Sequence, residues 1–184
     1  MNRLNDISLA TQVAVFHNRQ AFDKLVREYQ SPVRRFFLTQ TNGNEALSDD
    51  LAQETFIKAY THISQYRGTS GFLTWLIRIA YNLFYDYKRK TAHVERKNGE
   101  QYTDTVTTPA FQGHTSSAIR MDISSALAIL KEEERMCITL QLIDGYDVAD
   151  ISKITQMKEG TVKSHLHRGK TKLANYLRQN GYDR

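Results

Sequence analysis

The segment Met157–Leu177 separates apolar side chains from side chains that can donate hydrogen bonds to a polyanion. Its apolar residues recur at helical spacing and predict a buried stripe. They are Val162, Leu166, Leu173 and Leu177. The opposite side carries Lys163, Ser164, His167, Arg168, Lys170 and Thr171. Because Lys and Arg can donate to guanine and to phosphate oxygens, the segment predicts a helix that packs through one face and binds DNA through the other; a solvated basic face is the alternative.

A shorter helix is predicted directly before this one, because Val148, Ile151 and Ile154 also recur at helical spacing. A polar stretch that ends in Glu159-Gly160 separates the two helices. Two helices joined in this way form the helix-turn-helix pattern, whose second helix places its N-terminal residues in the major groove of duplex DNA.

The segment from Ser48 to Ile63 predicts an amphipathic helix with an acidic outer face. We expect Ser48 to cap it and a buried stripe to contain Leu51, Thr55, Phe56, Ala59, Tyr60 and Ile63. The other side carries Asp50, Gln53, Glu54 and Ile57, a mixture that suits protein binding; a solvated helix face is the alternative. Acid-base catalysis is not predicted, because no nucleophile, histidine partner or glycine-rich phosphate loop accompanies the carboxylates.

The segment Phe72–Lys90 carries more aromatic residues than one buried face needs. Phe72, Trp75, Leu76, Ile79 and Leu83 fit a core stripe. The remaining Tyr81, Asn82, Tyr85 and Tyr87 alternate with Arg78, Lys88, Arg89 and Lys90. Aromatic rings beside cations suit single-stranded nucleic acid, because each stacked base contributes roughly 1–3 kcal/mol. The alternative is that most of these rings belong to the core, an interpretation that we favour for Trp75.

The spacing of apolar residues along the 184-residue chain favours an all-α fold with two small helical domains. We expect an N-terminal domain over residues 1–90 and a C-terminal domain, with the helix-turn-helix, over residues 119–184. Residues 91–118 are polar, rich in Thr and Ser, and predict a flexible linker. Within the first domain, helices are predicted over residues 21–38 and 72–90, with Pro32 as a break or a first turn.

Composition narrows the function classes. The formal net charge of +5 suits a polyanionic partner. The single cysteine, Cys137, excludes an intramolecular disulfide and fits buried packing in a reducing cytoplasm. No signal peptide and no membrane span of roughly 20 apolar residues is predicted. No metal site and no cofactor are predicted, because His165 and His167 point to different faces of a helix and the other histidines are scattered.

Taken in order, these motifs resemble the extracytoplasmic-function (ECF) group of bacterial sigma factors, the two-domain initiation subunits of RNA polymerase. The similar stretches are DDLAQETF, RGTSGFLTWLIRIAYN and EGTVKSHLHR, and the resemblance covers about residues 21–90 and 126–177. It implies a cytoplasmic, non-enzymatic protein that binds promoter DNA and core RNA polymerase, through the β′ clamp helices and the β subunit. An inhibitory anti-sigma factor is implied as a further partner, without direct membrane insertion of this chain.

The resemblance also implies a role for individual residues. Asp50, Gln53 and Glu54 match positions that dock on the β′ clamp helices. The loop that captures a flipped base of the promoter minus-10 element is matched by Tyr66, Arg67, Gly68, Thr69 and Ser70. The helix that engages the unwound strand is matched by Arg78, Tyr81, Asn82 and Tyr85. The helix that reads the minus-35 element is matched by Thr161, Lys163, Ser164, His167, Arg168 and Lys170.

The chain departs from the family pattern at several positions. Leu130-Lys131 replaces a leucine-proline pair, and His165, Gly169 and Lys170 replace the commoner Arg, Ala and Arg. Gly169 should cost about 1 kcal/mol of helix stability relative to alanine. A helix-turn-helix regulator that binds duplex DNA without polymerase is the main alternative function, but it leaves the acidic and aromatic helices unexplained. An enzyme such as a nuclease ranks third, because no metal or acid-base cluster can be assembled.

Overall fold

The computed structural model describes residues 3–98 and 125–182, and every regular element within these ranges is helical. This confirms the all-α prediction. Contacts between Cα atoms divide the chain into two compact units, Met1–Phe37 with Glu45–Tyr102 and Leu38–Asn44 with Thr103–Arg184. The first contains α1 (Arg3–Phe16), most of α2 (Arg19–Gln40), α3 (Glu45–Thr61), a 3-10 turn (Ile63–Gln65) and α4 (Phe72–Asn98).

Helix α2 runs through Pro32 without a break, so the predicted interruption there is wrong. A proline inside a helix removes one backbone hydrogen bond and costs about 3 kcal/mol. Packing on both sides of Pro32 outweighs this cost, because each large apolar side chain contributes about 1.5–3 kcal/mol when fully buried. The buried residues of α2 around it are Leu25, Tyr29, Val33, Phe36 and Phe37.

Helix α3 begins at Glu45, three residues before the predicted cap. Ser48 therefore lies inside the helix, where it is completely buried, and the prediction that it caps the helix is wrong. Asn44, of a residue type favoured at N-caps, directly precedes the first helical residue. The stripe that includes Leu51, Thr55 and Ala59 is buried as predicted, while Phe56 and Tyr60 are half-buried.

The ends of the first unit differ from the sequence prediction. Helix α1 was not predicted; it buries Asp6, Leu9, Ala10 and Val13. Helix α4 continues to Asn98, eight residues beyond the predicted end at Lys90, so the first residues of the predicted linker are helical. The rest of the predicted linker, residues 99–118, lies outside the described residues.

The second unit contains the helix-turn-helix. A helical turn at residues 125–128 precedes α5 (Glu132–Ile138), a π-helical turn (Thr139–Ile143), α6 (Val148–Thr155) and α7 (Glu159–Gln179). The spacing of apolar residues in the sequence also predicts helices over residues 119–130 and 135–143. Residues 125–128 and 135–143 are helical, while 119–124 lie outside the described residues. The core contains Met136, Cys137, Ile138, Leu140, Ile151, Ile154, Val162 and Leu166. Cys137 is buried as predicted, and burial followed by the charge of Glu133 raises its pKa to about 12.

Candidate functional site

The acidic face of α3 is exposed. Asp50, Gln53 and Glu54 all lie on the solvent side of the helix. Glu54 Oε1 lies 3.7 Å from Lys58 Nζ on the next turn. Such an exposed pair contributes only about 0.3–0.5 kcal/mol, so it leaves the carboxylate available to a partner.

An apolar groove of about 520 Å³ lies between α2 and α3 and includes Gln53 of the acidic face in its lining. Most of its lining is apolar, from Phe22, Val26, Ala52, Phe56, Ile57 and Tyr60. Ile57 is 57% exposed. Arg34 on α2 also lines the groove, and its Nε donates a hydrogen bond to Asp49 Oδ1 on α3 at 2.5 Å. This groove was not predicted, although α2 carries more apolar residues than one buried stripe needs, and this excess is a signal for it in the sequence.

The loop from Tyr66 to Gly71 joins the 3-10 turn to α4. Its backbone turns at Gly68, whose φ of +68° favours glycine. The Tyr66 hydroxyl donates a hydrogen bond to the Ser70 carbonyl at 3.1 Å and so links the two halves of the loop. Between them, Arg67 and Thr69 are exposed to solvent. The loop therefore presents a cation and a hydroxyl at its outer edge.

Three aromatic rings support this loop. The Tyr66 ring packs edge to face on Phe72, with ring centroids 5.1 Å apart, and lies 5.5 Å from the Trp75 ring. Phe72 is buried, whereas Trp75 is only half-buried, so the prediction that Trp75 belongs to the core holds in part. Burial and then the charge of Asp6 raise the pKa of Tyr66, an effect opposed by Arg3. Because the ordinary tyrosine pKa is about 10, the Tyr66 hydroxyl is a donor at neutral pH, and the raised pKa extends this to more alkaline solution.

Helix α4 places the remaining predicted residues of the first unit on two adjoining rows. Arg78 and Asn82 are one turn apart and both are exposed. Tyr81 and Tyr85 are also one turn apart; both are half-buried, and their ring centroids lie 4.6 Å apart. The structure thus brings a cation, an amide and two phenol rings together at the surface of one helix.

The helix-turn-helix is formed by α6 and α7. Asp147 caps α6, because its Oδ1 accepts a hydrogen bond from the backbone N–H of Asp150 at 2.7 Å. The helix ends at Thr155 and is followed by Gln156, whose φ of +60° is left-handed; α7 begins at Glu159. Ile151 and Ile154 of α6 and Val162 and Leu166 of α7 are buried in this unit.

The polar face of α7 is exposed, as the spacing of its residues predicts. Thr161, Lys163, Ser164, His167, Arg168 and Lys170 all lie on it. Ser164 Oγ donates to the Gly160 carbonyl at 2.9 Å, and an Arg168 Nη2 lies 3.3 Å from His165 Nδ1. The predicted apolar stripe is buried only at its start, because Leu173 is half-buried and Leu177 is 37% exposed.

A buried carboxylate lies beneath this face. Glu134 on α5 is 2% exposed, accepts a hydrogen bond from Lys172 Nζ at 2.7 Å, and lies 3.8 Å from Arg168 Nε. It also accepts a hydrogen bond from the Lys131 backbone N–H at 3.2 Å. Burial acts to raise the pKa of Glu134, but these hydrogen bonds and the charges of Lys172 and Arg168 outweigh it, so the pKa lies below its ordinary value. Sequence reasoning missed this residue because it lies 34 positions or more before its cationic partners.

Gly169 allows α5 and α7 to approach each other closely. It is buried, and a Cβ built on it would lie 2.7 Å from Ile138 Cγ1 and 3.2 Å from Ile138 Cδ1. From the sequence, Gly169 is expected only to lower the stability of the helix. The structure adds a packing role that helix propensity alone does not contain.

Among residues 3–98 and 125–182, no group of three or more His, Cys, Asp or Glu side chains is placed to hold a metal ion. The helices described in these ranges include none with the length and apolar character needed to cross a membrane.

Two family models match the chain in the order of these surfaces. Sigma-70 region 2 matches residues 25–94, and Sigma-70 region 4 matches residues 120–173. The first match contains the acidic face, the loop and the two rows of α4. The second contains the helix-turn-helix.

Two relatives and one solved structure that match most of this chain are described as sigma factors. The chain is 34% identical over 163 residues to the ECF RNA polymerase sigma factor SigE of Mycolicibacterium smegmatis, a match that covers 85% of this chain but only 62% of that longer protein. It is 30% identical over 171 residues to the ECF RNA polymerase sigma-E factor of Haemophilus influenzae, covering 87% of this chain and 89% of the relative. A solved structure of the sigma factor RpoE in complex with the anti-sigma factor NepR from Bartonella quintana is similar with a TM-score of 0.72 and 26% identity, covering 89% of this chain and 98% of that one. On these matches, the chain belongs to the extracytoplasmic-function family of RNA polymerase sigma factors.

Proposed function

We propose that this protein binds core RNA polymerase and directs it to promoters whose minus-35 element is read by α7 and whose minus-10 element is held, unpaired, by the loop and α4. One observation carries this proposal: two exposed surfaces on the same chain suit different forms of DNA. The polar face of α7 suits duplex DNA, whereas the aromatic and cationic residues of the first unit suit unpaired bases. A regulator that binds duplex DNA alone has no use for the second surface.

The duplex contact is assigned to the exposed face of α7. Lys163 and Arg168 can donate to guanine or to phosphate oxygens, and Thr161, Ser164, His167 and Lys170 flank them. A single small module buries only roughly 600–1,000 Å² on DNA, so its affinity alone is modest. Modest affinity fits a subunit that is held at the promoter by a larger complex.

The single-strand contact is assigned to the loop and to α4. Extruding a base from a duplex costs a few kcal/mol, and stacking on an aromatic ring returns roughly 1–3 kcal/mol per base. Two or three contacts of this size balance the cost. The first unit supplies aromatic rings, cations and hydrogen-bonding groups in the required number. They come from the loop residues Tyr66 to Ser70 and, on α4, from Arg78, Asn82, Tyr81 and Tyr85.

The polymerase contact is assigned to the acidic face of α3. Asp50, Gln53 and Glu54 lie beside an apolar groove, and this combination suits an amphipathic partner helix that carries basic residues. We assign the β′ clamp helices to this face and the β subunit to a further contact. The solved complex of RpoE with NepR supports the proposal that an anti-sigma factor also binds this chain. We propose that the protein acts in the cytoplasm by binding alone, without catalysing a reaction.

Transcription by purified core polymerase on a genomic promoter library tests this function. Adding the protein should create starts that share two sequence elements, and core polymerase alone provides the control. If no promoter-specific start depends on the added protein, the proposed function is wrong.

A further inference from the structure

The loop from Tyr66 to Gly71 is held from outside by α1. The Arg3 guanidinium donates a hydrogen bond to the Gly68 carbonyl, across 65 positions of sequence. Ile7 packs directly against Gly68. The contact is so close that a Cβ atom added to Gly68 would lie only 2.8 Å from Ile7 Cδ1. Gly68 is thus constrained by its left-handed backbone and by contact with two residues of α1.

Helix α1 is itself fixed to α2, which packs against the start of α4. Asp6, 3% exposed, accepts a hydrogen bond from the Tyr29 hydroxyl of α2 at 2.8 Å. The Tyr29 ring lies 5.4 Å from Phe72, the first residue of α4, and Phe72 packs on Tyr66. These contacts form a continuous path from α1 through α2 and α4 back to the loop. Burial and the hydrogen bond to Asp6 raise the pKa of Tyr29, so this hydroxyl remains a donor even above the ordinary tyrosine pKa of about 10.

We propose that α1 is a positioning element that holds the loop in its base-receiving conformation, with Arg3 and Ile7 as the positioning residues. This inference rests on the proposed function of the loop. A loop that is ordered before binding avoids the entropic cost of ordering when the DNA strand arrives. Loss of the α1 contacts should therefore weaken single-strand binding without changing any residue assigned to touch DNA.

The first measurement concerns the free protein. Amide hydrogen exchange of the full chain should accelerate at residues 67–70 in Arg3→Ala and in Ile7→Ala, while the amides of α6 and α7 are unaffected. Arg27→Ala removes the same charge from an exposed position on α2 and should leave loop exchange unchanged. Unaltered loop exchange in both α1 variants would overturn the positioning role, whatever the protein does with DNA.

The second measurement is binding to DNA, well below the unfolding temperature of each variant. The probes are a single strand and a duplex taken from a promoter selected in the transcription assay. Arg3→Ala should weaken single-strand binding about 2- to 10-fold, the range of one net hydrogen bond, and leave duplex binding unchanged. Arg3→Lys, which keeps the charge and a donor, should restore part of the loss.

The outcomes separate the two proposals. If the wild-type protein binds no single strand, the proposed function of the loop fails and the inference fails with it. If the wild-type protein binds but Arg3→Ala binds equally well, only the positioning role is overturned. An equal loss on single strand and duplex would indicate general destabilisation and would also overturn it.

Discussion

Replacing Gly169 by alanine should destabilise the second unit, although alanine is the better helix former. In an open helix this change gains about 1 kcal/mol. Here the new methyl group would lie 2.7 Å from Ile138 Cγ1, and Ile138 is 1% exposed and cannot move aside freely. Inserting a methyl group into a filled core costs about 1–3 kcal/mol. The difference predicts a net loss of up to about 2 kcal/mol in the free energy of unfolding.

Gly160 provides a matched control in the same helix. Gly160 is exposed, and a Cβ atom added to it would have no neighbouring atom within 4 Å. Gly160→Ala should therefore stabilise the unit by about 0.5–1 kcal/mol through backbone entropy alone. Both substitutions replace glycine by alanine. Changes of opposite sign in the free energy of unfolding would therefore be due to the contact with Ile138.

Urea unfolding with two probes measures both changes. Far-UV circular dichroism follows the helices of both units, whereas fluorescence follows the single tryptophan, Trp75, in the first unit. The fluorescence transition should stay constant while the dichroism transition of the second unit shifts. In an Ile138→Ala background the penalty of Gly169→Ala should disappear, because the methyl group then fills vacated space. A Gly169→Ala protein as stabilised as Gly160→Ala would refute the steric reasoning.

Three further predictions concern charged residues. Asp50→Arg with Glu54→Arg should abolish co-purification with core polymerase while circular dichroism stays unchanged, since both side chains are exposed; retained co-purification would exclude this docking face. Arg168→Ala should weaken duplex binding by about 1–3 kcal/mol on the preferred site alone, and an equal loss on all sequences would assign Arg168 to a phosphate. The pKa of Glu134 is lower in the folded than in the unfolded chain. Its hydrogen bond to Lys172 therefore stabilises the fold above the ordinary glutamate pKa of about 4.3. This stabilisation is lost as the pH falls from that value through the lower pKa of the folded state. The urea midpoint of the second unit should therefore fall more steeply with acid in the wild type than in Glu134→Gln; equal slopes would contradict the assignment.

The surfaces of single helices could be predicted from the sequence. The exposed rows of α3 and α7 follow from the 3.6-residue period, because burial of residues such as Leu51 and Val162 fixes which side faces solvent. The helix-turn-helix followed from the same period and a polar interruption. Local rules failed where tertiary packing overrides them. Packing of buried side chains keeps α2 helical across Pro32. Ser48 is buried inside α3, which excludes the capping role that its residue type suggests.

The period of apolar residues could not predict the contacts, between residues far apart in sequence, that hold each surface in place. Arg3 contacts Gly68 across 65 residues, and Glu134 binds Lys172 across 38. Glycine is favoured at position 169 only because Ile138 packs closely against it. Rules based on residues that are neighbours in sequence do not include that contact. A substitution at such a position can change DNA binding while every side chain assigned to DNA is retained. Differences in promoter preference between this chain and its relatives should therefore be sought at Glu134, Gly169 and α1 as well as on the exposed face of α7.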